Sequence, residues 1–157
     1  MIVVADTSPL NYLVLIDEIE LLPALFDKVL LPNAVLQELQ HARTPDKVRR
    51  WAAHFPMWVE VRAVDRLTHP SLMSLDPGER EAIQLALDLN VGAVLIDEAD
   101  GRRQAETLHL DVLGTLGILE RGARVGITDF RVALSKLEKT NFRLSAKVRA
   151  AFLNRNP

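Results

Sequence analysis

The sequence predicts a three-layer α/β/α sandwich with a central, mainly parallel sheet. The alternation of predicted elements supports this prediction. Short apolar runs bounded by turn residues alternate with longer stretches of helical periodicity, and this alternation is typical of strands that helices bury on both faces. The 157 residues, of which 48% are hydrophobic and 25% charged, suffice for one domain with a sizeable core, so we expect residues 1–157 to fold as a single domain.

The first half of the chain contains three predicted strands, which are short and either rich in β-branched residues or alternating in hydropathy. They are residues 2–5 (IVVA), 28–32 (KVLLP) and 57–64 (MWVEVRAV). Helical periodicity predicts four helices around them. These run from Pro9 onward and over residues 18–26, 33–42 and 46–55.

The second half contains two further predicted strands, residues 92–97 (GAVLID) and 111–114 (DVLG). The first of them is the clearest buried strand of the chain. Five helices are predicted over residues 76–90, 99–110, 115–125, 128–140 and 145–155. The helix over 76–90 is well supported, because a Pro-Gly turn and acidic residues begin it and apolar positions then recur at helical spacing.

Composition excludes several kinds of site and partner. The chain has no cysteine, so it forms neither disulfides nor thiolate metal sites, and its four histidines show no ligand spacing. The net charge of −2 gives no global attraction to nucleic acid, so such a partner requires a local basic patch. Asp6 and Pro9 interrupt the N-terminal apolar run, so we expect no signal peptide, no membrane span and a cytoplasmic location.

Carboxylates occur where the predicted sheet and helices would bring them together. Asp6 ends the first strand and Asp97 ends the fourth, and the carboxyl ends of parallel strands share one edge of a sheet. Glu38 lies on the inward stripe of its helix. Glu79 and Glu81 both flank the apolar stripe of theirs, and periodicity places Glu79 slightly nearer the core. Each acid alone has an ordinary explanation as a helix cap or a solvated side chain, but together they indicate one acidic site.

An acidic site of this composition suggests a hard metal ion. Two unit charges about 4 Å apart cost on the order of 4 kcal/mol at an effective dielectric near 20, and a divalent cation would remove that repulsion. Oxygen ligands without His or Cys suit Mg²⁺ or Mn²⁺. Phosphodiester hydrolysis is the chemistry that such a site serves best. Basic side chains that would follow a nucleic-acid backbone are Lys47, Arg50, Arg102 and Arg103.

These residues resemble those of the PIN domain, a family of metal-dependent nucleases that includes the VapC-type toxins. The matching motifs are VVADTSPL, LPNAVLQEL, LDPGEREAIQLA, LIDEADGRRQAETL and VLGTLGIL, in that order over nearly the whole chain. Their combination looks like a subfamily of prokaryotic PIN-like proteins. The resemblance implies that Asp6, Glu38, Glu81 and Asp97 are the catalytic and metal-binding residues. It favours Glu81 over Glu79 because an alanine follows Glu81 directly and another follows four residues later.

The resemblance also implies a function. It suggests a Mg²⁺- or Mn²⁺-dependent endoribonuclease that is the toxin of a toxin–antitoxin pair, acts on RNA, forms a homodimer and is bound by a small antitoxin protein. Ser8 and Arg102 are the expected substrate-binding residues, and Thr7 or Ser8 would donate a hydrogen bond to a ligand carboxylate or a metal-bound water.

Two departures from the family pattern leave alternatives open. Position 81 carries Glu where the toxins more often carry Asp, and Ile-Asp-Glu replaces the usual Thr-x-Asp after the fourth strand. The fourth ligand is therefore Asp97 or Glu98. The first departure motivates an alternative function, in which the chain is a PIN-like binding module with weak or no catalysis that acts through protein or nucleic-acid contacts.

Overall fold

The computed structural model describes residues 1–157 and contains five parallel strands with helices on both faces, which confirms the predicted three-layer fold. The strands are β1 (Ile2–Ala5), β2 (Lys28–Pro32), β3 (Val59–Arg62), β4 (Ala93–Leu95) and β5 (Val112–Leu113). The helices are α1 (Thr7–Leu15), α2 (Leu21–Leu25), α3 (Asn33–Leu39), α4 (Asp46–Ala53), α5 (Pro77–Leu89), α6 (Ala99–Thr107), α7 (Thr115–Arg124), α8 (Phe130–Glu138) and α9 (Ala146–Arg155).

Several elements are shorter than predicted, among them α2, β3, β4 and β5, and one element was not predicted. Strand β3 is shorter than the predicted 57–64, because it pairs only with β2 and that strand ends at Pro32, opposite Arg62. Proline has no amide proton to continue the ladder. A 3₁₀ helix over Pro70–Ser74, which the sequence did not predict, precedes α5.

The strand order β3-β2-β1-β4-β5 creates a crevice at one edge of the sheet. The chain moves outward from β1 through β2 to β3, then returns to place β4 on the other side of β1. Ligands of open α/β sheets bind where the strand order reverses in this way, outside the carboxyl ends of the strands. Ala5 pairs with Leu95, and the amide of Asp6 donates to the Leu95 carbonyl at 2.9 Å, so β1 and β4 end side by side.

Two hydrophobic cores hold the layers together, one on each face of the sheet. Side chains alternate between them along β1, where Val3 and Ala5 belong to a core of 24 buried residues and Val4 to a core of 11. The larger core contains side chains of α1, α2, α3, α4, α7 and α8, and the smaller core those of α5, α6 and the 3₁₀ helix. Because the sheet is covered on both faces, its carboxyl edge is where functional side chains can reach a ligand.

The C-terminal helix α9 lies on the surface and has no fully buried residue. Its end is fixed by Arg155 and Asn156, which donate to the Glu120 carboxylate at 3.0 and 2.8 Å. The rings of Phe130 and Phe152 stack with centroids 5.9 Å apart. These contacts hold α9 against α7 and α8. None of the nine helices has the length and apolarity needed to span a bilayer.

Candidate active site

Asp6 lies at the centre of the crevice, between the end of β1 and the first residue of α1. Its side chain is only 4% exposed. Burial raises its pKa to about 8, the backbone amide of Thr7 opposes that shift, and the nearby charges of Glu38, Glu79 and Asp97 add to it. A carboxyl group in this position binds a proton at neutral pH unless a cation replaces it.

Glu38 approaches Asp6 from helix α3. Its carboxylate accepts hydrogen bonds from the Thr7 hydroxyl and, at 3.2 Å, from the amide of Gly78. A Cβ atom at position 78 would lie 2.7 Å from Glu38 Oε1 and 2.9 Å from Asp6 Oδ1. The missing side chain of Gly78 therefore lets both carboxylates meet the start of α5.

Glu79 is the least satisfied acid of the group. It is 6% exposed, and its Oε2 atom has no hydrogen-bond partner. Burial raises its pKa to about 7, with further contributions from Asp76, Glu98 and Asp100. The carboxylate also lies against the backbone of Gly101, where a side chain would collide with it. Buried polar oxygens are rarely left without a partner, so the Glu79 carboxylate lacks a donor or a cation.

Glu81 does not join this group. Its Oε1 atom accepts from the amide of Ala34 at 3.2 Å, at the start of α3. Residues two apart on a helix point in directions about 200° apart, so only one of Glu79 and Glu81 can face the crevice. The periodicity favoured Glu79 and the family motif favoured Glu81, and the structure places Glu79 in the crevice.

Asp97 is held by hydrogen bonds of its own. It accepts from the Ser8 hydroxyl at 2.8 Å and from both the amide and the hydroxyl of Thr115 at 2.7 Å. These bonds join the first turn of α1 to the first turn of α7. The hydroxyl of Ser8, an expected substrate-binding group, is thus used within the protein to orient Asp97.

The acidic cavity that results has a volume of about 240 Å³. Its lining consists of Asp6, Thr7, Ser8, Asn11, Tyr12, Glu38, Asp76, Glu79 and Glu98. Glu98, the alternative to Asp97, faces the cavity directly. Asn11, Tyr12 and Asp76 were not predicted. Asn11 and Tyr12 lie four residues after Thr7 and Ser8 on the same helix face, so helical periodicity could have identified them.

The four basic residues expected to contact an RNA backbone lie in different parts of the surface. Arg102 lines a cleft of about 500 Å³ that also contains Asp97. Arg103 pairs with Asp100 at 2.6 Å, and Lys47 pairs with Asp17 at 2.6 Å. Arg50 is exposed on α4. Arg102 is therefore the one of these four that borders the cleft beside Asp97.

The potential ligand atoms of the acidic cavity have the chemistry that a hard divalent cation prefers. They are all oxygen atoms, two of the carboxyls have raised pKa values, and the Glu79 Oε2 atom has no other partner. As the side chains stand, no three Asp, Glu or His residues are close enough to hold one ion. Coordination would therefore require rotation of these side chains toward a common point.

Comparison with known proteins identifies the family. A family model described as a PIN domain matches residues 2–156. The chain belongs to the PIN-domain family. PIN domains are generally nucleases that use divalent metal ions. No curated protein matches the chain.

The fold is shared with a PilT N-terminus domain protein from the hyperthermophilic archaeon Sulfolobus solfataricus P2. The TM-score is 0.51 at 18% identity, with 92% of this chain and 100% of that chain covered. At this level of identity, the likeness shows a common fold and nothing about activity. The predicted family and fold of this PIN domain are thus confirmed.

The raised pKa values predict how stability of the metal-free PIN domain depends on pH. Folded Asp6 and Glu79 hold protons up to about pH 8 and 7, whereas their ordinary values are 3.8 and 4.5. The unfolded chain therefore loses these protons at lower pH than the folded chain does. The free energy of unfolding consequently falls as pH rises from about 4 to 8. In EDTA, we expect the thermal midpoint to decrease across this range, and Asp6→Asn to reduce the slope. Equal slopes in the two proteins would contradict the assignment.

Asp97 should respond to substitution in the opposite sense from Asp6. Asp97→Ala leaves the donors of Ser8 and Thr115 without their acceptor, and we expect a loss of about 1–3 kcal/mol in the free energy of unfolding. Asp6→Asn removes a buried charge and should leave stability equal or higher at pH 8. Urea unfolding of both variants measures this contrast. An Asp97→Ala variant as stable as wild type would show that its hydrogen bonds are dispensable.

Proposed function

We propose that this PIN domain is a Mg²⁺- or Mn²⁺-dependent endoribonuclease. The observation that carries the proposal is the unpartnered, buried oxygen of Glu79 in a cavity that also contains Asp6 and Glu38. These three carboxylates would hold the ion, together with Asp97 or Glu98. The proposal assigns to Glu79 the ligand position that the family motif suggested for Glu81.

The residues around the ion would prepare the site before RNA binds. The Thr7 hydroxyl and the Gly78 amide orient the Glu38 carboxylate toward Asp6. Ser8 and Thr115 fix the carboxylate of Asp97 at the neighbouring strand end. The bound ion would supply a water molecule of lowered pKa and neutralise charge at the phosphate. Because Asp6 and Glu79 carry protons in the metal-free state, metal binding should release protons.

The biological role proposed here follows the family resemblance. The chain would be the toxin of a toxin–antitoxin pair, located in the cytoplasm and inhibited by a small antitoxin protein. It would act as a homodimer. Light scattering should then give twice the mass of the 17.6 kDa chain, and a monomer at micromolar concentration would contradict that assembly.

Cleavage assays with paired Glu variants test both the activity and the ligand assignment. Wild type should cut members of a panel of structured and single-stranded RNAs with Mn²⁺ or Mg²⁺ and be inactive in EDTA. Asp6→Asn should abolish cleavage, and Glu79→Gln should reduce its rate by about a hundredfold or more, because each removes a charged ligand.

Glu81→Gln is the matched control, since glutamine keeps an oxygen acceptor for the Ala34 amide. We expect its cleavage rate to stay within a few-fold of wild type. A large loss in Glu81→Gln with normal activity in Glu79→Gln would instead support the assignment drawn from the family motif. Cleavage that persists in EDTA would exclude metal dependence.

The second candidate function is a PIN-like binding module with weak or no catalysis. Its supporting observation is that no three acidic side chains are placed to hold one ion, while Asp97 is already engaged by three hydrogen bonds. RNA binding in EDTA without turnover in any metal would favour this function over the nuclease.

A further inference from the structure

We propose that a cleft next to the acidic cavity is a nucleotide subsite for single-stranded RNA, with Arg143 as its phosphate-binding residue. We call it the side cleft. It has a volume of about 500 Å³, and the residues that matter here are Ser8, Tyr12, Glu98, Asn141, Phe142 and Arg143. The inference rests on the proposed function, because it concerns the substrate of the same acidic site.

The side cleft is continuous with the acidic cavity. Ser8, Tyr12 and Glu98 line both of them. Its volume falls within the range of roughly 300–1,000 Å³ that is typical of small-molecule sites and is adequate for a nucleotide. If a phosphate lies at the acids, the side cleft is therefore within reach of the adjoining nucleotide of the same strand.

Arg143 supplies the positive charge that the acidic cavity lacks. The cavity presents the carboxylates of five acidic residues and no basic side chain, so a polyanion needs a cation nearby. Arg143 is exposed and takes part in none of the ion pairs of the chain. An arginine guanidinium can donate two hydrogen bonds to one phosphate.

Arg143 is also close enough to influence the site electrostatically. Burial raises the pKa of the Tyr12 hydroxyl, and Asp97 and Glu98 raise it further, whereas Arg143 lowers it. The guanidinium is therefore within electrostatic reach of Tyr12, whose side chain lines both the side cleft and the acidic cavity.

Two aromatic rings provide a surface for a base. Tyr12 and Phe142 meet edge to face with centroids 4.9 Å apart, and both line the side cleft. The Tyr12 hydroxyl donates to Asn141 Oδ1 at 2.8 Å, which ties the segment between α8 and α9 to α1. Bases of a single strand can stack on such rings, whereas bases in a duplex are already paired and stacked.

A path for the rest of the strand continues from the side cleft. The cleft that contains Arg102 shares Asp97, Phe142 and Arg143 with it and is also lined by Arg155. Arg155 is paired with Glu120, but Arg102 takes part in none of the ion pairs. The expected substrate-binding role of Arg102 would then concern a second phosphate along this path.

Fluorescence anisotropy tests the subsite without cleavage. A labelled single-stranded RNA of about twelve nucleotides is titrated with the full chain in EDTA over a range of salt concentrations. We expect Arg143→Gln to weaken binding roughly tenfold and to lower the salt dependence by about 0.7, as the loss of one phosphate contact on a single strand requires. Arg143→Lys should bind with intermediate affinity, because it keeps the charge and loses the second hydrogen bond.

Lys147→Gln is the matched control, because Lys147 is an exposed cation four residues away that lies outside both clefts. It should bind RNA as wild type does. Phe142→Leu tests stacking separately. It should lower the affinity for the single-stranded RNA by several-fold and leave the salt dependence of binding unchanged. Thermal melting of each variant confirms that it is folded.

The possible outcomes separate the subsite from the nuclease. Equal affinities of Arg143→Gln and Lys147→Gln, absence of RNA binding by wild type, or a duplex that binds as tightly as the single strand would each overturn the subsite. Metal-dependent cleavage together with unchanged Arg143→Gln binding would overturn the subsite and leave the nuclease standing. Binding that depends on Arg143, without cleavage in any metal, would support the subsite and refute the nuclease.

Discussion

The buried carboxyl group of Asp6 is the constraint around which the crevice is organised. The parallel pairing of β1 with β4 forces the chain to place this residue at the sheet edge, under helices that leave it 4% exposed. A charge in such a place is costly unless it is neutralised or paired. Glu38 and Glu79 increase that cost. The site therefore stores electrostatic free energy that binding of a proton or a cation releases.

The carboxylates at this edge of the sheet differ in their hydrogen bonding. Asp97 receives three hydrogen bonds, which link α1 to α7 and fix the orientation of its carboxylate. Glu79 has an oxygen with no partner, and Asp6 has a strongly raised pKa. Perturbed titration in a cleft is typical of functional groups. Helices α1, α6 and α7 also begin at this edge, and their positive ends favour anions there.

Membership of the PIN-domain family accounts for the fold but not for the side cleft beside the acidic cavity. The archaeal PilT N-terminus domain protein shares the fold at only 18% identity, so its likeness cannot identify a substrate. The side cleft depends on residues 141–143, which lie far along the chain from the acids. Substrate selection would then be separated from chemistry, with the acids at the strand ends and the RNA contacts on a segment that packs beside them.

The sequence by itself was sufficient to predict the fold class, the presence of all five strands and all nine helices, and the proximity of Asp6 to Glu38. These features follow from alternation, helical periodicity and the shared edge of parallel strand ends, which are patterns with fixed geometric consequences. The choice between Glu79 and Glu81 needed the tertiary structure, because it depends on which side of α5 faces β1. So did the contact between Tyr12 and Asn141. These residues are 129 positions apart, and only the packing of the folded chain decides which distant side chains meet.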